Sequence, residues 1–212
     1  MHLAVYGGSF DPPHNGHLAL SLFARELLGI DRLIISVSNN PFKQSCVADN
    51  IHRMQMAELL AREINYTGNC CEVSRWELDK QQPSYTVDLL RYLHECYTHD
   101  RLTLLVGEDS FSDFSSWKEY EKLFLLCDVV VFKRVSNRNS DSAGDILHER
   151  ESVRFIDFRC DVSSTGVRKL VAAGKSIAGL VPSSLRRYSD EHALYRQHPA
   201  STSLPEQKHQ ES

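Results

Sequence analysis

The chain has 212 residues, of which 42% are hydrophobic, and a formal net charge of −4 at pH 7. This size predicts one domain with a full core, and an acidic balance without a long basic block argues against a nucleic-acid binder. No apolar run approaches the roughly 20 residues that cross a bilayer, and the start of the chain does not look like a signal peptide. The six cysteines form no C-x-x-C pair, which is typical of reduced thiols, so we expect a cytoplasmic protein without membrane or nucleic-acid partners.

Strand-like and helix-like segments alternate along the chain. The pattern predicts strands at residues 3–6, 33–38, 71–76, 102–106, 129–133 and 153–157. Amphipathic helices are predicted near residues 17–28, 51–64, 85–97 and 117–126, and two more near 165–173 and 183–195. Because several strands are continuously apolar, we predict an α/β fold, in which a doubly wound parallel sheet carries helices on both faces and a short C-terminal helical part follows.

Two segments have the composition of loops. Residues 135–146 are small and polar, which predicts a mobile surface loop, and residues 197–212 lack apolar periodicity. We therefore predict a single domain over residues 1–196 and a flexible C-terminal tail over residues 197–212.

A glycine loop with two histidines lies between the first predicted strand and the first predicted helix. Glycines expose backbone N–H groups, and the start of a helix adds positive partial charge, so this loop predicts a phosphate site. His14 and His17 are three residues apart and add side-chain donors on one side of the helix start. The loop reads Gly7-Gly8-Ser9-Phe10-Asp11-Pro12-Pro13-His14-Asn15-Gly16-His17.

Three other kinds of site fit this loop poorly. Zinc needs a third and usually a fourth ligand beside His14 and His17, and no Cys or His pair of matching spacing lies elsewhere in the sequence. The dinucleotide-binding pattern G-x-G-x-x-G and the Walker A pattern G-K-[ST] are both absent from the loop. A phosphate loop that carries histidines remains.

Four motifs occur in order over roughly residues 3–195. Residues 7–17 match G-[GT]-[ST]-F-D-P-x-H-x-G-H, residues 83–88 match S-Y-T-x-D, residues 107–110 with Trp117 match G-x-D…W, and residues 163–168 are similar to I-S-S-T-x-I-R. Together they resemble the bacterial nicotinate-nucleotide adenylyltransferases, a family of the H-x-G-H nucleotidyltransferases. The H-x-G-H element alone would indicate only the superfamily, whereas four ordered matches indicate the narrower family.

This resemblance implies a Rossmann-like fold and transfer of the adenylyl group of ATP to nicotinate mononucleotide, with release of pyrophosphate, in NAD biosynthesis. The implied partners are ATP and the mononucleotide, and the implied cofactor is Mg²⁺, held by the triphosphate and water rather than by protein ligands. The attacking 5′-phosphate has a second pKa of about 6, so it is largely anionic and needs no general base. The oligomeric state stays open, and a homodimer is compatible with the sequence.

The resemblance implies that most of the motif residues bind ATP. His14, His17 and Arg168 are the expected catalytic residues, because imidazoles donate to triphosphate oxygens and a guanidinium offers a planar fork to the β- and γ-phosphates. Residues 163–165 are expected to cap the helix that carries Arg168 as well as to bind phosphate. The expected ATP-binding residues are Gly7, Gly8, Ser9, Phe10, Lys43, Gly107, Asp109, Arg134, Ser163, Ser164 and Thr165.

Three residues are expected to bind the pyridine nucleotide. An indole face suits the cationic pyridine ring, so Trp117 is expected to stack on it, although a tryptophan is more often a core residue. Tyr85 and Thr86 open a predicted helix, whose positive end and hydroxyls suit the carboxylate of nicotinate better than a neutral amide.

Several alternatives stay open. Asp109 could accept from ribose hydroxyls or cap the helical turn that follows, and Lys43 could bind phosphate or be a solvated surface lysine. At the level of function, the rivals are an adenylyltransferase acting on phosphopantetheine, an enzyme that prefers the amide mononucleotide, and a non-catalytic nucleotide sensor. Retention of His14, His17 and Arg168 argues against the sensor.

Overall fold

The computed structural model describes residues 1–39, 46–80, 82–133 and 152–196. The predictions for Lys43, Arg134, the loop 135–146 and the tail 197–212 therefore lie outside the described residues. A six-stranded sheet with helices on both faces accounts for most of what is described, and all of its strand pairings are parallel. The predicted α/β class and doubly wound sheet are confirmed.

Strands and helices alternate along the described residues. The strands are β1 (His2–Gly8), β2 (Arg32–Val37), β3 (Cys71–Ser74), β4 (Arg101–Gly107), β5 (Asp128–Lys133) and β6 (Val153–Asp157). The helices are α1 (Asn15–Leu28), α2 (Asn50–Asn65), α3 (Thr86–Cys96), α4 (Glu108–Phe111), α5 (Tyr120–Leu126), α6 (Ser164–Ala172) and α7 (Ser183–Glu191), with a 3-10 turn at Phe114–Ser116. None of these helices has the length and apolar character that crossing a membrane requires.

The strands lie in the order β3-β2-β1-β4-β5-β6. Strand β1 pairs with β2 on one side and with β4 on the other, so the strand order changes direction at β1. In sheets of this kind, ligands bind in the crevice beyond the carboxyl ends of the strands at such a switch point. The loop that follows β1, which carries the glycines and histidines, lies at this crevice.

Alternate residues of β1 face two different cores. Ala4 and Tyr6 pack with α1, α2 and the C-terminal segment, whereas Leu3 and Val5 pack on the other face with α3 and α5. All four side chains are at most 8% exposed. Burial on both faces is the physical reason why these strands are continuously apolar in sequence.

Two predicted helices differ from the structure. The helix predicted over 117–126 starts late, because Trp117 has an extended backbone (ψ 144°) and Glu119 lies in the left-handed region (φ 51°). The helix predicted over 183–195 ends early, and Tyr195 beyond it has a φ of 63°. In the first case the predicted helix extends before the observed start, and in the second it extends beyond the observed end, so the apolar spacing covers more residues than the helix does.

Candidate active site

A cavity of about 820 Å³ opens at the switch point, beyond the carboxyl ends of β1 and β4. Residues from the two ends of the chain share its wall. Every predicted site residue that the structure describes lines this cavity: Gly7, Gly8, Ser9, Phe10, His14, His17, Tyr85, Thr86, Gly107, Asp109, Trp117, Ser163, Ser164, Thr165 and Arg168.

The two histidine rings lie against each other at the start of α1, with centroids 3.8 Å apart and planes tilted by 32°. The Nδ1 atom of His14 accepts the Gly16 N–H at 3.1 Å, and the Nδ1 atom of His17 accepts the His14 N–H at 3.1 Å. An Nδ1 atom that accepts an N–H cannot carry a proton, so each neutral ring carries its proton on Nε2. The helix start therefore sets both the position and the tautomer of the two predicted donors.

Gly16 is required because the chain packs closely against it. A Cβ atom at this position would lie 2.5 Å from Sγ of Cys160 and 2.9 Å from Nδ1 of His14. Cys160 belongs to the connection between β6 and α6. The absence of a side chain at Gly16 thus lets this connection pass directly beside the histidines, which brings α6 to the cavity.

The ring of Phe10 supports the site from within the core. It is 1% exposed and packs against Tyr6 and His17, with centroid distances of 5.7 Å and 5.2 Å. The backbone of Phe10 has a φ of 49°, in the left-handed region. Any contact of Phe10 with phosphate would therefore involve its backbone, while its ring holds the imidazole of His17.

Arg168 connects α6 to the glycine loop. Its Nη1 atom donates to the backbone carbonyl of Asp11 at 2.6 Å, and its Nη2 atom donates to Oγ1 of Thr165 at 3.2 Å. The hydroxyl of Ser164 donates to the backbone carbonyl of Pro12 at 2.9 Å. The guanidinium and the two imidazoles, predicted from opposite ends of the sequence to share one site, do line one cavity.

Only one of the three residues predicted to cap α6 does so. Ser163 is the N-cap, and its Oγ atom accepts the Gly166 N–H at 3.1 Å. Ser164 and Thr165 lie inside the first turn, so their hydroxyls bind the glycine loop and Arg168 instead. The prediction that all three cap the helix was wrong, because a helix has a single N-cap position.

The side chain of Asp11 ties three segments together, and sequence reasoning missed it. It is buried, and its oxygens accept the N–H groups of Val47 (2.7 Å) and Ala48 (3.1 Å) and the hydroxyl of Tyr195 (2.8 Å). The signal that could have found it is the presence of a carboxylate inside a loop expected to bind phosphate, where an unpaired negative charge would repel the ligand.

A buried cation behind the glycine loop was also missed. Arg53 on α2 is 2% exposed and donates from Nη1 to the carbonyls of Ser9 (2.9 Å) and Ser38 (3.0 Å). Its remaining hydrogen bond runs from Nη2 to Oδ1 of Asn50, so all its partners among the described residues are neutral oxygens. Its positive charge therefore adds to the potential at a site expected to hold phosphates.

A buried carboxylate organises the approach to α3. Glu77 accepts the hydroxyl of Ser36 at 2.8 Å and the hydroxyl of Ser84 at 3.0 Å. Ser84 stands directly before Tyr85, which is the N-cap residue of α3 and makes no side-chain capping bond. The start of α3 is thus fixed from the preceding residue, and no side chain of its own N-cap covers the first N–H groups.

Trp117 lies between the cavity and the core that packs with α3 and α5. Its ring packs on Phe114 with centroids 4.8 Å apart, and the residue also lines the cavity. Next to it, the ammonium of Lys118 lies 4.6 Å from the centre of the Tyr85 ring and 3.1 Å from Oδ2 of Asp88. These contacts join the Trp117 segment to the start of α3.

The residues after β4 do not behave as a capped helix start. Gly107 is the N-cap residue of α4 and makes no side-chain capping bond, while Asp109 lies exposed in the first turn. Asp109 therefore lies two residues beyond the N-cap position of this turn. A Cβ atom at Gly107 would meet nothing within 4 Å, so the backbone there faces open space.

A group of partly exposed ion pairs joins α3 to the residue that precedes α5. Arg91 bonds Glu119 at 2.8 Å and Lys122 also pairs with Glu119. The hydrogen bond from Arg91, followed by that from Lys122, lowers the pKa of Glu119 to about 2. The carboxylate that begins the α5 segment is therefore charged at all but strongly acidic pH.

The chain is similar in sequence to proteins of one family over nearly its whole length. Residues 5–170 match the cytidylyltransferase-like family. A protein of Pelodictyon phaeoclathratiforme (strain DSM 5477 / BU-1) named "Probable nicotinate-nucleotide adenylyltransferase" is 60% identical over 215 residues, with 100% of both chains covered. A protein of the same name from Chlorobium limicola (strain DSM 245 / NBRC 103803 / 6330) is 55% identical over 92% of this chain and 99% of its own.

Solved structures show the same fold. The nicotinic acid mononucleotide adenylyltransferase of Plasmodium falciparum, complexed with NaAD, superposes with a TM-score of 0.75 at 21% identity, covering 92% of this chain and 97% of that one. At this identity the likeness concerns the fold, whereas the sequence relatives concern the family. The chain belongs to the nicotinate-nucleotide adenylyltransferase family, within the cytidylyltransferase-like proteins.

Proposed function

We propose that this cavity transfers the adenylyl group of ATP to nicotinate mononucleotide and releases pyrophosphate, as a step of NAD biosynthesis. The observation that supports this most is the convergence of His14, His17 and Arg168 on one cavity at the switch point of the sheet. The two relatives at 60% and 55% identity carry the name of this activity.

The chemistry requires alignment and charge neutralisation rather than proton removal. An oxygen of the mononucleotide 5′-phosphate attacks the α-phosphorus of ATP, the bond from that phosphorus to the bridging oxygen breaks, and pyrophosphate leaves. The attacking phosphate is already anionic near neutral pH. The protein must therefore hold two polyanions in line and stabilise the negative charge that grows on the leaving group.

The described groups on the triphosphate side are all suited to that task. His14 and His17 carry protons on Nε2 in the neutral form, and Arg168 presents a guanidinium beside them. The starts of α1 and α6 add partial positive charge, and Arg53 adds a full buried charge behind the loop. Donors fixed before the reaction need no reorganisation when the charge develops.

Mg²⁺ fits this site as part of the nucleotide rather than as a protein-held ion. The described residues contain no cluster of three or more His, Cys, Asp or Glu side chains that could hold a metal ion. The one buried carboxylate within the glycine loop, Asp11, is engaged with two backbone N–H groups and a hydroxyl. When bound to the triphosphate, Mg²⁺ would supply further neutralisation of phosphate charge.

The acceptor side suits a negatively charged pyridine nucleotide. The first N–H groups of α3 are not covered by a side chain of its N-cap residue, and they carry the positive end of the helix dipole. The nicotinate carboxylate is the natural ligand of such N–H groups, and the Trp117 ring offers a face to the cationic pyridine. We therefore favour the acid mononucleotide over the amide.

The test is an assay of pyrophosphate release with ATP and each candidate acceptor. Release with nicotinate mononucleotide, at a higher kcat/KM than with nicotinamide mononucleotide, is the expected result. A preference for the amide would contradict the carboxylate argument alone. Release with phosphopantetheine but with neither mononucleotide would replace the proposed acceptor, and ATP binding without release in any mixture would favour the nucleotide sensor.

A further inference from the structure

A tyrosine near the end of the described chain reaches into the glycine loop. Tyr195 is 9% exposed, and its hydroxyl lies 2.8 Å from Oδ1 of Asp11 and 3.8 Å from Sδ of Met56. A phenol has one proton, and a carboxylate oxygen at 2.8 Å is a far better acceptor than a thioether at 3.8 Å. The hydroxyl therefore donates to Asp11.

The phenol keeps this donor role across the neutral range. Burial and then the neighbouring Asp11 carboxylate raise the pKa of Tyr195 well above its ordinary value. The backbone at Tyr195 has a φ of 63° beyond the end of α7, so the chain leaves the helix before the ring enters the core. The side chain reaches Asp11 by a backbone path that a continued helix would not give.

In the part of the chain that the structure describes, three neutral donors bond the Asp11 carboxylate. Oδ1 accepts from Tyr195 and from Ala48 N–H, and Oδ2 accepts from Val47 N–H. The guanidinium of Arg168 lies 3.8 Å from Oδ2, which is longer than the roughly 2.7–2.9 Å of a charge-assisted hydrogen bond. It bonds the backbone carbonyl of Asp11 instead, at 2.6 Å.

The donors that bond the Asp11 carboxylate also affect the position of the neighbouring Arg168 guanidinium. Asp11 is 3% exposed, so an oxygen that loses a donor is not compensated by bulk water. Among the described residues, the cation beside this carboxylate is Arg168, whose Nη1 atom lies 3.8 Å from Oδ2. Without the Tyr195 hydroxyl, the carboxylate gains most by drawing the guanidinium into a direct ion pair, which turns it away from the triphosphate.

We propose that Tyr195 is a positioning residue that, by occupying the Asp11 carboxylate, keeps the Arg168 guanidinium available to the triphosphate of ATP. The proposal rests on the function proposed above, in which Arg168 binds phosphate. It assigns to Tyr195, which is not among the residues that line the cavity, control over affinity for one of the two substrates.

The experiment compares two conservative variants of the same C-terminal segment. Tyr195→Phe removes the hydroxyl that bonds Asp11, and Tyr188→Phe removes a hydroxyl that bonds Nδ1 of His52 at 2.9 Å, away from the cavity. We expect Tyr195→Phe to raise the KM and the dissociation constant for ATP by about five- to tenfold, the size of effect that the loss of one ordinary hydrogen bond has. The KM for nicotinate mononucleotide should stay within about twofold, and Tyr188→Phe should change neither.

A second background separates positioning from a general structural effect. In an Arg168→Ala protein, the guanidinium that the hydroxyl is proposed to release is gone, so adding Tyr195→Phe should raise the ATP dissociation constant no further. A Met56→Leu variant, which removes only the thioether beside the phenol, should bind ATP as the original protein does.

Two results would overturn the proposal. One is an unchanged ATP affinity in Tyr195→Phe, and the other is an equal loss of affinity with and without Arg168. ATP binding measured by calorimetry needs no acceptor. The role of Tyr195 is therefore tested even if the original protein fails to release pyrophosphate with nicotinate mononucleotide. That failure would contradict the proposed function alone.

Discussion

The helices that face the proposed triphosphate side begin with side-chain caps, whereas those that face the acceptor side do not. His14 caps α1 and Ser163 caps α6, each by a bond to a backbone N–H. The N-cap residues of α3 and α5 are Tyr85 and Glu119, and neither of them makes such a bond. The links between segments differ as well: on the first side they are hydrogen bonds, including the buried one from Tyr195 to Asp11, and on the second they are ion pairs between partly exposed side chains.

The two sides of the cavity have different tasks in the proposed reaction. Donors that meet a transition-state charge contribute most when they are held in place before the reaction, which buried hydrogen bonds achieve. An acceptor site has to admit the mononucleotide, and helix N–H groups without a capping side chain can serve its carboxylate. We expect variants on the triphosphate side to affect turnover and stability strongly, and variants on the acceptor side to affect mainly KM.

The largest effect is expected at His17. The His17→Ala substitution removes an expected donor to the transition state, and such losses lower kcat by about 10²–10³-fold. Steady-state kinetics would measure this, and circular dichroism would verify that the variant is folded. The matched control is His52→Ala, which removes a partly buried histidine that contacts Tyr188 outside the cavity and should leave kcat unchanged. Near-normal turnover in His17→Ala would remove this imidazole from the mechanism.

The next effect is expected from Gly16→Ala. Its Cβ atom would meet Cys160 and the His14 ring at under 3 Å, so we expect a loss of about 1–3 kcal/mol in the free energy of unfolding together with reduced turnover. Denaturant unfolding measures the first quantity. Gly107→Ala, at the end of β4, meets open space and should cost far less stability. Adding Cys160→Ala should restore part of the loss, because it removes one of the two clashes; no recovery would mean that the His14 contact dominates.

A smaller and more selective effect is expected at Trp117. Trp117→Ala should raise the KM for nicotinate mononucleotide by about tenfold and leave the KM for ATP unchanged, if the indole stacks on the pyridine. Trp76→Ala is the control, since Trp76 stacks on Tyr92 with centroids 5.3 Å apart and does not line the cavity. Equal increases in both KM values for Trp117→Ala would indicate that this ring serves only the core.

The smallest effect is expected from Glu119→Gln. Because the pKa of Glu119 is lowered to about 2 in the folded protein, its ion pairs stabilise the fold fully above its ordinary pKa of 4.5 and lose this contribution as the pH falls toward 2. We therefore expect a slightly lower Tm for the variant at pH 7, and a difference that shrinks below pH 4.5. High salt should also reduce the difference, since exposed pairs are screened. A difference that grew on acidification would contradict this assignment.

Sequence patterns were sufficient for the strands and for the main site residues. The strands were predicted to within two residues of their observed ends, because strands buried on both faces consist of nearly continuous apolar residues. The glycine loop, His14 and His17 could be assigned to a phosphate site because strand, loop and helix start are adjacent in the chain. The family resemblance added Arg168, Tyr85, Thr86 and Trp117, all of which line the cavity.

Only the tertiary structure decided which residues support that site. Asp11 and Tyr195 are separated by 184 positions, and Gly16 meets Cys160 across most of the chain, so no local periodicity reports either contact. Arg53 looks like one more polar residue of an amphipathic helix until the sheet buries it against the glycine loop. Spacing along a chain encodes which face of an element is apolar, but the partner of a buried polar group depends on which segments the sheet order brings together, and that is a property of the whole fold.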